Sequence, residues 1–185
     1  MSLLQIRCFL ADSTLGRSAK WLRLMGFDAI YDSTPPDAYR LMARGAGKRL
    51  ILTRSPGVYN HLAGKPALLI SSKHPQIQIH QIIDELQIGW AEIRPFSRCA
   101  VCNAVLLLLA KTDATGHVPD YVLQHQLRFH QCPRCHRIFW PGSHSRRWLD
   151  MMRVWFEDSL KYQPPSSMGD PSDGVREYHK LFQEI

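Results

Sequence analysis

The sequence predicts an α/β fold: a parallel sheet with flanking helices, followed by a small zinc ribbon and a C-terminal helix. Over residues 1–90, short apolar segments rich in β-formers alternate with segments of helical periodicity. This alternation is typical of right-handed β-α-β crossovers, which build parallel sheets. Two Cys-x-x-Cys pairs between residues 99 and 135 have the spacing of a zinc site. A chain of 185 residues has room for one domain and a small second one.

Four short apolar segments are predicted as strands, at residues 6–11, 28–31, 49–53 and 67–70. Helices are predicted at about residues 14–25, 36–44 and 75–86, with a shorter helical piece ending at residue 62. Ser13 or Thr14 is suited to cap the first helix, and Gly26 is suited to end it. Pro36 suits the first turn of the next helix.

The rest of the chain divides into three predicted parts after the sheet domain at residues 1–90. A zinc ribbon is predicted at 97–142, an amphipathic helix at 143–162 and a flexible tail rich in Pro, Ser and Gly at 163–185. The helix carries an apolar, largely aromatic stripe at helical spacing. We interpret this stripe as a packing surface, and a protein-docking surface is the alternative.

The ribbon prediction depends on Cys99-Ala-Val-Cys102 and Cys132-Pro-Arg-Cys135, which are separated by twenty-nine residues. A two-residue gap lets both thiolates of a pair turn toward one ion, and two pairs complete a tetrahedral S₄ set for Zn²⁺. Four thiolates leave no open position, so this Zn²⁺ is predicted to be structural. The alternatives are buried thiols, two disulfides or a redox pair, and His130 and His136 are spare ligands.

Acidic residues are predicted at the carboxyl ends of the strands, where parallel sheets collect functional groups. Asp12 ends the first strand, Asp32 follows the second, and Asp37 enters from the next helix. Clustered carboxylates suit Mg²⁺ or Mn²⁺, which activate water and stabilise charge in phosphodiester hydrolysis. The alternatives are that Asp12 caps a helix, that Asp37 stabilises a helix N-terminus and that Asp32 is a loop acid.

The net charge of +7 favours an anionic partner, with nucleic acid first, although a basic soluble protein without such a partner is the alternative. Five cysteines, four of them in the two pairs, suit a reducing cytosol, so a cytoplasmic protein is predicted. The longest apolar run, 105–110, is too short to cross a bilayer, and the first residues lack a signal-peptide apolar region. No membrane partner is therefore expected, and protein partners are left open.

The motifs of the chain resemble those of the Mut-seven C-terminal RNase family over roughly residues 6–150. The similar segments are the run from Phe9 to Asp28, Leu50-Ile-Leu-Thr53-Arg54, the cysteine pairs, Val118-Pro119 and Trp140-Pro-Gly-Ser-His144. The resemblance implies a PIN-like nuclease fold joined to a zinc ribbon, with RNA as the substrate.

Carried over by position, Asp12 matches the first-strand acid of the family and Asp37 the acid that opens the second helix. The chain departs from the family at Thr53-Arg54-Ser55, where the family pattern is Thr-Arg-Asp. A hydroxyl binds metal ions more weakly than a carboxylate does. Either Asp32 or another nearby acid substitutes, or the site is weakened or lost.

The leading hypothesis is therefore a metal-dependent ribonuclease, a hydrolase whose ribbon helps to hold RNA. Asp12 and Asp37 would hold Mg²⁺ or Mn²⁺, with Asp32 a further candidate. The residues predicted to contact phosphates are Arg17, Lys20, Arg23 and Arg54. The alternatives are ordinary surface charge for these residues and, for the chain, an RNA-binding module without catalysis or an adaptor that uses the aromatic stripe.

Overall fold

A computed structural model describes residues 5–45 and 47–159 of the chain. Its first half contains a parallel sheet of four strands in the order β2-β1-β3-β4. The strands are β1 (Cys8–Ala11), β2 (Asp28–Tyr31), β3 (Leu50–Thr53) and β4 (Ala67–Leu69). The predicted parallel α/β fold is confirmed.

The first four helices alternate with the parallel strands as predicted, and two more lie in the described part of the second half. They are α1 (Gly16–Leu24), α2 (Ala38–Gly45), α3 (Pro56–His61), α4 (Pro75–Glu85), α5 (Asp120–His125) and α6 (Ser143–Ser159). A 3₁₀ turn at Ser13–Leu15 precedes α1, and Asp12, rather than Ser13 or Thr14, caps that turn. The reason is that the Asp12 carboxylate accepts a hydrogen bond from the amide of Thr14.

The sheet is buried on both faces, which explains why its strands are apolar at successive positions. In β1, Phe9 and Ala11 join a core with side chains of α1, α4 and α6. Leu10, between them, joins a second core with side chains of α2 and α3. Since successive side chains of a strand point to opposite faces, the sheet lies between two helical layers.

The second half contains a small antiparallel sheet of three strands in the order β5-β6-β7. The strands are β5 (Leu107–Leu109), β6 (Phe129–Gln131) and β7 (Ile138–Phe139). Four cysteines cluster beside this sheet, an arrangement that is compatible with a zinc ribbon.

Helix α6 packs back against the parallel sheet domain. Trp155 is buried, and its ring centroid lies 5.1 Å from that of Trp21 in α1. Phe156 contacts Trp90 at a centroid distance of 5.5 Å. The aromatic stripe is therefore a packing surface, as predicted, and the adaptor alternative loses its basis. The last three residues of the predicted helix 143–162 and the predicted tail at 163–185 lie outside the described residues.

No helix within the described ranges combines the length and the apolar character that crossing a bilayer requires.

Gly26 ends α1 and lies against Arg94, in the segment that leads into the ribbon. Its φ angle is +98°, and the amide of Phe27 donates to the carbonyl of Leu22 at 2.9 Å. The amide of Gly26 donates to Arg23 at 2.9 Å, which completes a Schellman motif. A Cβ atom here would lie 2.4 Å from the carbonyl oxygen of Arg94. Only glycine meets both requirements, so the C′ role predicted from the sequence is confirmed.

Replacing Gly26 by Ala should lower the free energy of unfolding by at least about 3 kcal/mol, because backbone strain and a backbone clash add together. Gly64→Ala is the matched control, since φ there is +77° but nothing lies within 4 Å of the added Cβ. The control should lose only about 1 kcal/mol. Urea unfolding of both variants measures the difference, and equal losses would contradict the close approach.

Candidate functional site

The carboxyl ends of β1, β2 and β3 form one edge of the parallel sheet. The amide of Asp12 donates to the carbonyl of Leu52 at 3.1 Å, and the amide of Asp32 donates to Ala11 at 2.9 Å. Asp12 and Asp32 therefore follow neighbouring strands directly and lie side by side at the carboxyl end of the sheet. The sheet thus brings two of the three predicted acids to the same edge.

Asp12 is fully buried and held by two hydroxyl groups. Its Oδ1 atom accepts hydrogen bonds from the amide and the hydroxyl of Thr14. Its Oδ2 atom accepts one from the hydroxyl of Thr53 at 2.5 Å. Asp12 thus caps the following turn, as the alternative interpretation predicted, and is also fixed to the end of β3. Sequence reasoning missed the role of Thr53, although it is the last residue of a predicted strand.

Asp32 is also buried, but its partners include two cations. Oδ1 accepts hydrogen bonds from the amide and the hydroxyl of Thr34. Oδ2 lies 3.2 Å from Nε of Arg40 and 2.8 Å from Nη1 of Arg44. Burial acts to raise the pKa of Asp32, but the hydrogen bonds from Thr34 and the charge of Arg44 hold that pKa far below its ordinary range. The carboxylate of Asp32 is therefore ionised, and both of its oxygens are occupied by protein donors. Asp32 is for this reason less suited than Asp12 to bind a metal ion.

Asp37 and Ser55 both lie at helix N-termini. Oδ1 of the exposed Asp37 accepts a hydrogen bond from the amide of Arg40 at 2.8 Å. The hydroxyl of Ser55 accepts one from the amide of Val58 at 3.3 Å, which caps α3. Asp12, Asp32 and Asp37 do not lie close enough together to form a three-ligand metal group in the described part of the chain.

Three of the four residues that were predicted to contact phosphates have solvent-accessible side chains. Arg17 and Lys20 are exposed on α1. Arg54 follows β3 and is half-buried, and its Nε atom is buried without a hydrogen-bond partner among the described residues.

The structure gives Arg23 a different role from the predicted RNA contact. It is 8% exposed, and its Nε donates to the carbonyl of Ala29 in β2 at 2.7 Å. Its Nη1 donates to the carbonyls of Ala100 and Val101, within the first cysteine pair, at 3.2 and 2.8 Å. Burial lowers the pKa of the guanidinium, and the charges of Cys102, Cys99 and Asp28 act in the opposite direction. Arg23 therefore joins the sheet domain to the ribbon.

Asp28 strengthens the same junction. Its carboxylate accepts two hydrogen bonds from Arg49, at 2.6 and 3.0 Å, and one from Nδ2 of Asn103 at 2.7 Å. Asn103 in turn accepts a hydrogen bond from the amide of Ala29 at 3.0 Å. Burial acts to raise the pKa of Asp28, but the hydrogen bonds from Arg49 and Asn103 outweigh it and lower that pKa. The sequence gives no sign of this junction, because Asn103 lies 75 residues from Asp28 in the chain.

In the described part of the chain, the four cysteines form a group of side chains that could hold a metal ion. Their Sγ atoms all lie within 4.8 Å of one another, with distances of 3.7 Å for Cys99–Cys135 and 3.2 Å for Cys102–Cys132. A tetrahedral zinc site with bonds of about 2.3 Å has edges of about 3.8 Å, so the cluster has suitable dimensions. All four are free thiols in the structure, so the disulfide alternative is not realised.

The two cysteine pairs have the same local geometry. The residue after each pair, Asn103 or His136, has a positive φ angle, 67° and 56° respectively.

Burial acts to raise the pKa of Cys132, but the amide of Cys135 and the thiol of Cys102 lower it to about 6. Burial and, to a smaller extent, the hydrogen bond with Cys132 raise the pKa of Cys102 to about 12. Since close thiolates repel one another, a cation is needed to hold all four deprotonated.

Comparisons with known proteins agree with the motif resemblance. The sequence matches the model of a protein family described as the Mut7-C RNAse domain, over residues 7–152. The matched range includes the parallel sheet, the ribbon and the first part of α6. Searches of curated proteins and of solved structures gave no match.

Asp28→Asn should lower the free energy of unfolding at pH 7 by about 1–3 kcal/mol, because it removes the charge that Arg49 contacts. A carboxyl whose pKa is lowered by folding stabilises the protein above its unfolded pKa of about 4, and this contribution is lost as the pH falls through the folded pKa. The difference between wild type and variant should therefore shrink below about pH 4.

The control for this pH series is Asp150→Asn, which removes an exposed acid 3.8 Å from Arg153. Exposed pairs contribute little, so the control should stay within about 0.5 kcal/mol of wild type. Chemical unfolding between pH 3 and pH 7 provides the measurement, and an Asp28→Asn deficit that does not change with pH would contradict the assignment.

Proposed function

The chain belongs to the Mut7-C RNAse domain family, and on this premise we propose that it is a metal-dependent ribonuclease that cleaves RNA phosphodiester bonds. The observation that carries the proposal is Asp12, a buried carboxylate at the carboxyl edge of a parallel sheet. Function collects at this edge in parallel α/β folds. The family name supports a nuclease, and the geometry supports Asp12 as its central acid.

Asp12 and Asp37 are the residues that would hold Mg²⁺ or Mn²⁺. Sites for Mg²⁺ often use one or two carboxylates together with substrate phosphates, so two acids are sufficient. Among the described residues, the hydroxyl of Thr53 is the one hydrogen-bond donor to Oδ2 of Asp12, which leaves acceptor capacity for a cation. A bound divalent ion would activate water and stabilise charge on the phosphoryl oxygens. We do not assign Asp32 to this ligand set, because its oxygens already contact Thr34, Arg40 and Arg44.

The remaining residues at the edge would orient the acid and the substrate. Thr14 and Thr53 fix the direction of the Asp12 carboxylate through their hydroxyls. Arg17, Lys20 and Arg54 would contact RNA phosphates by charge and, for the arginines, by paired hydrogen bonds. Arg23 is left out, because its guanidinium is buried against three carbonyl groups.

We assign Zn²⁺ to the four cysteines, as a structural ion in a ribbon that helps to bind RNA. Their donor set is all sulfur, which zinc prefers, and it leaves no position open for chemistry. Free thiols in all four positions suit a reducing compartment, which supports a cytoplasmic location.

A second candidate, an RNA-binding module with weak or absent catalysis, is favoured by the residue at position 55. Ser55 stands where the family pattern has Asp, and its hydroxyl caps α3. The third carboxylate of the site is therefore missing, and no described acid takes its place in a three-ligand group.

Wild-type protein purified without chelator should contain a single zinc ion per chain, and Cys132→Ala should lose it, because the closed sulfur shell is broken. Cys8→Ala is the control, since Cys8 lies in β1 outside the cluster. Elemental analysis of the three proteins measures the zinc content. Full zinc occupancy in Cys132→Ala would contradict the assignment.

Asp12→Asn should lower metal-dependent RNA cleavage by at least about 100-fold, because metal-assisted stabilisation is worth several kcal/mol. Asp113→Asn, which removes an exposed acid in the ribbon, is the control with the same charge change and should keep full cleavage. Cleavage of a labelled RNA in Mg²⁺ or Mn²⁺ is the measurement. Equal activity of wild type and Asp12→Asn would contradict the role of Asp12.

Ser55→Asp separates the two candidates. Asp caps helices as well as Ser does, so the variant should keep the α3 cap and its stability. A weakened nuclease should gain Mn²⁺-dependent cleavage from the added carboxylate. If neither the wild type nor Ser55→Asp cleaves RNA while both bind it, the binding module is the correct function.

A further inference from the structure

We propose that Arg40 and Arg44, held together by the buried carboxylate of Asp32, form a clamp that binds a phosphate group of RNA. The inference rests on the proposed function, because it requires that the chain binds RNA. It gives Asp32 the role of a positioning residue for the two arginines.

Asp32 is built into the sheet as a fixed anchor. It is 1% exposed, and its amide donates to the carbonyl of Ala11 in the neighbouring strand at 2.9 Å. Thr34 occupies Oδ1 with two hydrogen bonds, which directs Oδ2 to the arginines. Nε of Arg40 and Nη1 of Arg44 lie 3.2 and 2.8 Å from this one oxygen. A single buried atom therefore brings two guanidinium groups together.

The two arginines keep donors for a ligand. They stand four residues apart on α2, so they share one face of the helix. Their side chains are 37% and 44% exposed, whereas that of Asp32 is 2% exposed. Arg40 uses Nε and Nη2, the latter toward the carbonyl of Pro35, and Arg44 uses Nη1. A guanidinium has five N–H donors, so each retains donors after contacting Asp32.

The charge of the group fits one phosphate. Two guanidinium groups and one carboxylate carry a net charge of +1, opposite to the single charge of a phosphodiester. Arginine matches phosphate with paired hydrogen bonds, and a pair held beforehand loses less side-chain entropy on binding. Without Asp32, two cations four residues apart would repel each other.

The position of the group supports RNA as the source of the phosphate. Asp32 follows β2 and Asp12 follows β1, and neighbouring strands lie about 4.8 Å apart. The clamp and the proposed cleavage site therefore start from adjacent points on one edge. An RNA strand that reaches Asp12 would also pass the arginines.

The test compares RNA affinities without Mg²⁺ or Mn²⁺, so that binding is measured apart from cleavage. The clamp variant is Arg40→Gln with Arg44→Gln. The control is Lys65→Gln with Arg153→Gln, which removes the same charge from two exposed residues. Lys65 precedes the amino end of β4, away from the proposed site, and Arg153 lies on α6. The dissociation constant for single-stranded RNA should rise at least about tenfold in the clamp variant and less than about threefold in the control. The slope of log K against log salt should fall by about 0.7 in the clamp variant alone.

Two further variants keep the test independent of folding and of simple charge. Arg40→Lys with Arg44→Lys keeps the net charge and still neutralises Asp32, but it loses the planar fork of donors. It should bind RNA more weakly than wild type at equal thermal stability. Asp32→Asn adds one positive charge, so general electrostatics predicts tighter binding, whereas the clamp predicts weaker binding. Wild-type affinity in the lysine variant, or tighter binding by Asp32→Asn, would overturn the proposal.

The source of the phosphate is resolved by RNA of one sequence with either a 5′-phosphate or a 5′-hydroxyl. An equal loss of affinity on both RNAs identifies a backbone phosphate, and a loss confined to the first identifies a terminal phosphate. If wild type binds RNA and the clamp variant binds it equally well, the clamp is overturned and the proposed ribonuclease is not. If wild type binds no RNA, both are overturned.

Discussion

The buried guanidinium of Arg23 joins the parallel sheet to the ribbon, and together with the Asp28–Asn103 contact it sets the arrangement of the two halves. It donates to Ala29 in β2 and to Ala100 and Val101 in the first cysteine pair. Leaving a buried charge without its partners typically costs about 3–5 kcal/mol. Asp32 follows the same strand, three residues after Ala29. Strand β2 therefore connects the cysteine cluster with the acidic edge of the sheet. We therefore expect a change in the metal cluster to reach the candidate site through β2.

The two buried acids at the edge differ because their partners differ. Asp12 contacts threonine hydroxyls, which orient a carboxylate without neutralising it. Asp32 contacts Arg40 and Arg44, which neutralise it and in turn are held by it. In our proposal, Asp12 binds a cation, while Asp32 arranges two cations for an anion. Opposite charges placed side by side in this way would serve a metal-dependent enzyme that acts on phosphates.

Local pattern was sufficient to predict the strands and helices of residues 1–90, whereas the roles of charged residues were not readable from it. The strand Asp28–Tyr31 has its predicted bounds because Gly26 precedes it and a proline-rich loop follows. The cysteine cluster was predictable, because a two-residue gap determines the direction of both thiols. Arg23 was predicted to contact RNA phosphates, yet it is buried and donates a hydrogen bond to Val101, which lies 78 residues away in the chain. Such contacts come from the docking of two domains, and periodicity carries no information about them.

The central claim is that Asp12 and Asp37 share a divalent ion while Asp32 holds the arginines, and a crystal structure with Mn²⁺ tests it most directly. Anomalous scattering at the manganese edge locates the ion independently of any assay. We predict a manganese peak coordinated by Asp12 and Asp37, with Asp32 still in contact with Arg40 and Arg44. A peak on Asp32 with the arginines displaced, or no peak at this edge in crystals saturated with Mn²⁺, would contradict the account.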